Sequence, residues 1–272
     1  MKLRVGCELQ YAFPQPTPAI LALNVHYSRA SDLKSPDHII ISPSVPISSY
    51  RDGFGNWCGR IVAPAGRVTI STDAVVSDSG LPDPAEPRAA QVPVENLPEE
   101  ALVFLLPSRF CDSDRLLDLA WTLFGHATPG WGRVQAICDF VHQRIAFGYE
   151  HARSTRTASE AYQECFGVCR DYAHLAVAFC RALNIPARYC TGYLGDVGVP
   201  PPHPPGDFAA WFEAFLGDRW RIFDPRNNVP RIGRVLVARG RDAADVAMVT
   251  TFGPNTLEGF RVWTDEIDDD CA

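Results

Sequence analysis

One thiol in this chain stands where chemistry is favoured. Gly167-Val168-Cys169-Arg170-Asp171 leads into a largely apolar run, Tyr172 to Leu183, with helical periodicity. A cysteine in the first turn of a helix faces the positive end of the macrodipole, which draws its pKa toward the reactive thiolate. The free N–H groups of the same turn can hold a developing oxyanion. The motif offers a nucleophile and part of the hole for acyl chemistry; the alternative is an inert cysteine at a helix start. Such a nucleophile also needs a proton acceptor and a group that orients it. Asp224, in Trp220-Arg221-Ile222-Phe223-Asp224-Pro225, ends an expected strand and suits the orienting role, although Asp-Pro is also a common turn pair. His174 lies on the Cys169 helix, but a five-residue spacing turns the two side chains ~140° apart. It reads as a packing or hydrogen-bonding residue. Asp171 complements the dipole and can cap N–H groups, a structural role.

The elements that must position these residues change character along the chain. Up to residue 76 the pattern is that of strands. Leu3 to Tyr11 and Gly66 to Ala74 alternate apolar and polar, Ala19 to His26 and Ile39 to Ile41 read as further strands, and Asp52-Gly53-Phe54-Gly55-Asn56 is a hairpin turn. Several short strands with turns between them suggest an N-terminal β-sandwich over 1–76. Residues 77–98, rich in Pro, Asp, Glu and Ala, read as a linker. Beyond it, residues 99–272 form a second expected domain. Helices are expected after the Asp112-Ser113-Asp114 cap, from Trp131 to Ile145, from Thr157 and from Cys169. Strands follow over 187–194, 208–216, 219–224, 235–238 and 259–263, with a proline loop, 200–205, between the first two. Helices followed by an antiparallel sheet make the fold α+β.

Composition bounds the function. The 272 residues are 46% hydrophobic and 21% charged, with a net charge of −7 and no basic run, so nucleic acid is not an expected partner. No apolar stretch approaches the roughly 20 residues of a membrane helix, and Met1 to Glu8 lacks the apolar core of a signal peptide. The expected setting is the cytoplasm. Nine scattered cysteines without a CxxC do not form a disulfide framework or a metal site; Cys165 and Cys169 are close enough in sequence to pair only under oxidation.

Four motifs in order resemble the bacterial transglutaminase-like superfamily, whose members share a Cys-His-Asp triad with papain: Gly167-Val168-Cys169-Arg170-Asp171; Asn184 to Tyr189 with Thr191-Gly192-Tyr193-Leu194; Asp207-Phe208-Ala209-Ala210-Trp211-Phe212-Glu213; and Trp220 to Pro225. The motifs span about 105 to 228, and the N-terminal strands resemble the β-rich N-terminal region of these bacterial proteins. The resemblance implies a papain-like domain of helices on an antiparallel sheet, with Cys169 as nucleophile and Asp224 as third residue. It implies a thiol enzyme that opens amide or peptide bonds through an acyl-thioester, by hydrolysis or transfer, without a metal or organic cofactor. Its substrate is expected to be a peptide, a protein or a small amide. One position departs from the pattern. The family histidine is replaced by Ala209, which accepts no proton. Three readings stay open: His203 of the proline loop substitutes, the chain is a non-catalytic member that keeps a peptide- or protein-binding cleft, or the alanine was introduced to trap a substrate. Trp211 and Gln163 are the candidate cleft residues; a core tryptophan and an exposed helix glutamine are the alternatives.

Overall fold

The computed structural model describes residues 1–267; Cys271 lies outside them. The N-terminal part is built of β1 (Lys2–Phe13), β2 (Thr17–Leu21), β3 (Ile40–Ser42), β4 (Ser48–Arg51), β5 (Trp57–Ala63) and β6 (Gly66–Ser77). Alternation in β1 sends Leu3, Val5, Cys7 and Leu9 into the core, and β6 answers with Val68, Ile70, Ala74 and Val76. The expected strand from Ala19 to His26 is shorter and earlier, because backbone 27–32 turns into a 3₁₀ segment that His26 caps by accepting the Ser28 N–H.

The helical part contains α1 (Glu99–Leu102), α2 (Leu117–Phe124), α3 (Trp131–Arg144), α4 (Ala158–Glu164) and α5 (Cys169–Ala182), with the two-residue strands β7 (Ala146–Phe147) and β8 (Phe166–Gly167) paired in parallel. The expected cap at residues 112–114 starts a 3₁₀ turn, Ser113–Leu116, before α2 begins. Then come β9 (Ala187–Leu194), β10 (Ala209–Leu216), β11 (Arg219–Phe223) and β12 (Arg234–Gly240), an antiparallel sheet in the order β11-β10-β9-β12. Every residue of α5 from Asp171 to Ala182 is buried, which is why its sequence is apolar on several faces. Leu175, Val177 and Phe179 are sealed completely, each burial worth roughly 1.5–3 kcal/mol. One side of this helix meets Phe212, Ala214, Leu216 and Phe223 of the sheet in a core shared with α2, α3 and α4.

The last two strands are β13 (Val249–Thr251), which was not expected, and β14 (Thr256–Ile267), which contains the strand expected over 259–263 in the C-terminal domain. They join the N-terminal sheets instead: β14 pairs along β1 and β13 pairs with β2. The result is two four-stranded sheets, β14-β1-β6-β3 and β13-β2-β5-β4, sharing one apolar core. That core also takes Ala173 of α5, Tyr189 and Tyr193 of β9, and Val235 and Val237 of β12. The segment 77–98 is pinned along its length. Asp83 binds Arg234 at 2.9 Å, Trp131 donates its N–H to Ala89 O, Gly217 donates to Ala90 O, and Gln91 reaches Leu183 O. Gly130 (φ 92°) makes the close approach possible, since a Cβ there would stand 2.3 Å from Ala89 O.

Candidate active site

The nucleophile turn is held by local chemistry. Cys165 (φ 62°) ends α4 in the left-handed conformation, and its carbonyl accepts the Ala146 N–H at 2.8 Å. Asp171 then folds back to accept the Val168 N–H at 2.9 Å, which caps α5. Gly167 is required there: a Cβ would stand 2.5 Å from Asp171 Oδ2. Arg156 Nη1 reaches the same oxygen at 3.0 Å, with the two side chains 3% and 1% exposed, and its Nε binds Glu164. Burial nevertheless holds the Asp171 carboxyl above its usual range, against the pull of the Val168 N–H and the two arginines, Arg170 and Arg156. Asp171 is thus structural, and it fixes where Cys169 emerges. His174 is buried between Phe110 and Tyr189, its Nε2 accepting the Ala243 N–H at 3.1 Å. Burial keeps this ring neutral, far below the ordinary histidine pKa.

Cys169 lines a 640 Å³ cavity together with Ala209, Ala210, Asp207 and His203. The residue is partly accessible, and its sulfur faces the Phe208 carbonyl at 4.0 Å. The lowered thiol pKa expected from the helix terminus is not found. Burial first, and the charge of Asp207 second, push the Cys169 thiol up to about 12, although the N–H groups of Ala210 and Arg170 favour the thiolate.

Ala209 begins β10, opposite Gly192 of β9. That glycine is forced by close strand packing: a Cβ there would stand 2.1 Å from Val235 O, so the β12 backbone fills that side of the pair, and Ala209 packs against the cluster of Cys190, Trp211 and Leu236. Asp224 follows the last residue of β11, whose Phe223 pairs with Phe212. Its oxygens accept the Asn227 N–H at 3.1 Å, the Asn227 amide at 2.7 Å and Arg234 at 3.0 Å. Asp224 lines a separate small space with Trp131 and Gln135, though its charge is felt at Cys169. His203 faces Asp196 at 3.5 Å on the exposed loop.

Trp211 and Gln163, expected at the cleft, are placed elsewhere. Alternation along β10 turns Ala210 and Phe212 toward the cores and sends Trp211 to the other face, where it packs on Cys190 and Leu236 with Arg234 4.7 Å above its ring. Gln163 is an exposed residue of α4. The cavity walls come instead from Phe147 and Tyr149, from Arg226, and from Arg261 and Trp263 of β14. Asp207 was visible in the motif but carried no role. The β14 wall has no local signal, because a strand partner some 250 residues away in sequence brings it there.

The family model of the transglutaminase-like superfamily matches residues 118–225. A solved structure from Cytophaga hutchinsonii named "putative cysteine protease" is 32% identical, with a TM-score of 0.85, covering 100% of this chain and 92% of that one. An uncharacterized protein of Mycobacterium leprae is 36% identical over 99 residues, a match that spans 32% of each chain. An uncharacterized protein of Mycobacterium tuberculosis is 29% identical over 230 residues, 73% of this chain and 69% of that one. Motif order, an α+β architecture with the cysteine heading its buried helix, and likeness over the full length agree: the chain belongs to the transglutaminase-like superfamily.

Proposed function

We propose that this is a cysteine-dependent amide-bond enzyme whose turnover is crippled by Ala209. Cys169 is the nucleophile, position 209 the place of the base, and Asp224 the residue that would orient it. The observation that carries this reading is that Cys169 and Ala209 line the same cavity. In the proposed reaction the sulfur bonds to the acyl carbon, the amine leaves with a proton, and water or a second amine releases the acyl group. Both the attack and the departure need a proton carrier, and an alanine is none. His203 is a poor substitute, since it is tied to Asp196 on a loop of consecutive prolines. The substrate class is a peptide, protein or small amide, and the sequence expectation of a cytoplasmic setting is kept. We also assign the two N-terminal sheets to a β-sandwich that carries one wall of the cleft. No helix among the described residues is long and apolar enough to cross a membrane.

A second reading is favoured by the thiol itself. With its pKa pushed up to about 12, Cys169 is almost entirely protonated at neutral pH, as in a binding cleft that has lost turnover. Acyl-enzyme formation on an activated ester separates the two. Ala209→His is expected to accelerate it strongly. Equal rates would leave the binding reading, or, if His203→Ala then abolished activity, a displaced base.

A further inference from the structure

The carboxyl of Asp207 stands in the same cavity as the Cys169 sulfur. Its Oδ1 accepts the Phe208 N–H at 2.7 Å, and the Phe208 carbonyl is the thiol's acceptor, so one dipeptide brings both groups to the sulfur. The cations of the cavity are engaged elsewhere. Arg231 binds Gly195 O at 2.8 Å and Asp196 at 3.3 Å. Arg226 donates to Asn227 and lies 4.4 Å above the Phe147 ring. Arg261 lies over Trp263, and His203 faces Asp196. Among the described residues, none of the cavity's cations forms an ion pair with Asp207. Phe208 and Tyr149 add aromatic surface beside it. A half-buried carboxyl without a cation, next to aromatic faces in an open cavity, suits a positively charged group.

We propose that Asp207 is the specificity-determining residue of this cavity, and that the ligand it selects carries an ammonium or guanidinium group close to the acyl carbon presented to Cys169. This rests on Cys169 being the acyl-accepting atom. The chemistry gives the cation a second effect. In a Cys-His site the imidazolium supplies the positive charge that steadies the thiolate; here position 209 supplies none. Asp207 instead works against the thiolate, and burial holds its own carboxyl above the usual range. A bound cation cancels that charge and shifts the sulfur toward its reactive form, so ligands with the cation are both held and presented to a better nucleophile.

The test needs no turnover. The full chain is treated with methanethiosulfonates carrying a trimethylammonioethyl, a methyl or a sulfonatoethyl group. In each reaction the Cys169 proton goes to solvent, its sulfur bonds to the transferred thioalkyl sulfur, and methanesulfinate leaves with the electrons of the broken S–S bond. Rates at Cys169 are read by peptide mass spectrometry and divided by those of free N-acetylcysteine. The cationic reagent is expected to lead the anionic one by about tenfold after this correction, with the lead shrinking in high salt. Asp207→Asn is expected to remove the lead and to speed the neutral reagent. A corrected ratio of one or less in the unaltered chain overturns the proposal, whether or not the variant folds, as does a lead that survives Asp207→Asn. Failure of Ala209→His to speed acylation would strike the enzyme reading alone, because the reagent ratio does not depend on it.

Discussion

Arg234 Nη2 meets Asp224 Oδ2 at 3.0 Å, and both side chains are only 4% exposed. The same guanidinium binds Asp83 at 2.9 Å and lies over Trp211. The carboxylate proposed as the third catalytic residue is therefore held by an arginine that the 77–98 segment tethers. Burying one cation between two anions satisfies all three only while each is present.

Removing that cation is expected to be costly. Arg234→Met leaves Asp224 and Asp83 facing each other without a counter-charge, and should lower stability by about 3–5 kcal/mol. Urea unfolding followed by circular dichroism checks this; a loss below about 1 kcal/mol would mean that water or Asn227 already satisfies Asp224.

Restoring an imidazole should restore chemistry. Ala209→His is expected to raise acyl-enzyme formation on a p-nitrophenyl ester by about 10²- to 10⁴-fold, the usual worth of a positioned base. Position 209 lines the same cavity as Cys169. A burst of p-nitrophenol equal to one site per chain, absent in the Cys169→Ser companion, is the expected signature.

Alkylation of Cys169 should climb with pH. Only the thiolate reacts, and with the thiol pushed up to about 12 its share grows about tenfold per pH unit from 7 to 10. Iodoacetamide mapping should show no plateau in that range, and the plateau should move down in Ala209→His. A plateau near pH 7 in the unaltered chain would show a thiolate activated by other means.

Stability should be greatest between the histidine and thiol ranges. Burial pushes Cys111 and Cys169 up to about 12 and raises Cys138, Cys180 and Cys190 as well, so their contribution is complete below an unfolded thiol pKa of about 9. It is lost as pH rises from there toward about 12, where only the unfolded chain releases the protons. His26, lowered to about 3 by burial, and His174, also lowered, act in the opposite direction: their contribution is present above about 6.5 and is lost as pH falls. Melting temperatures at pH 5, 7.5 and 10 should therefore peak at the middle value. A temperature that still rises from pH 7.5 to 10 would contradict the alkaline arm.

The sequence alone carried what depends on near neighbours. Period-two alternation marked β1 and β6, Gly167 with Asp171 marked the start of α5, and Ala187–Leu194 was read to the residue, because side-chain alternation and helix capping act over a few positions. The order of four motifs pointed to the family, and the alanine at 209 was plain. Tertiary structure decided the rest. Nothing local to residues 256–267 says that they pair with β1, so the β14 wall of the cavity and the mixed parentage of the N-terminal sheets appear only in the fold. The face of a strand residue depends on what lies on each side, which sent Trp211 under Arg234 rather than into the cleft. The charge state of Cys169 depends on solvent access and on Asp207, 38 residues away: the helix terminus favoured the thiolate, and burial together with a carboxylate reversed it.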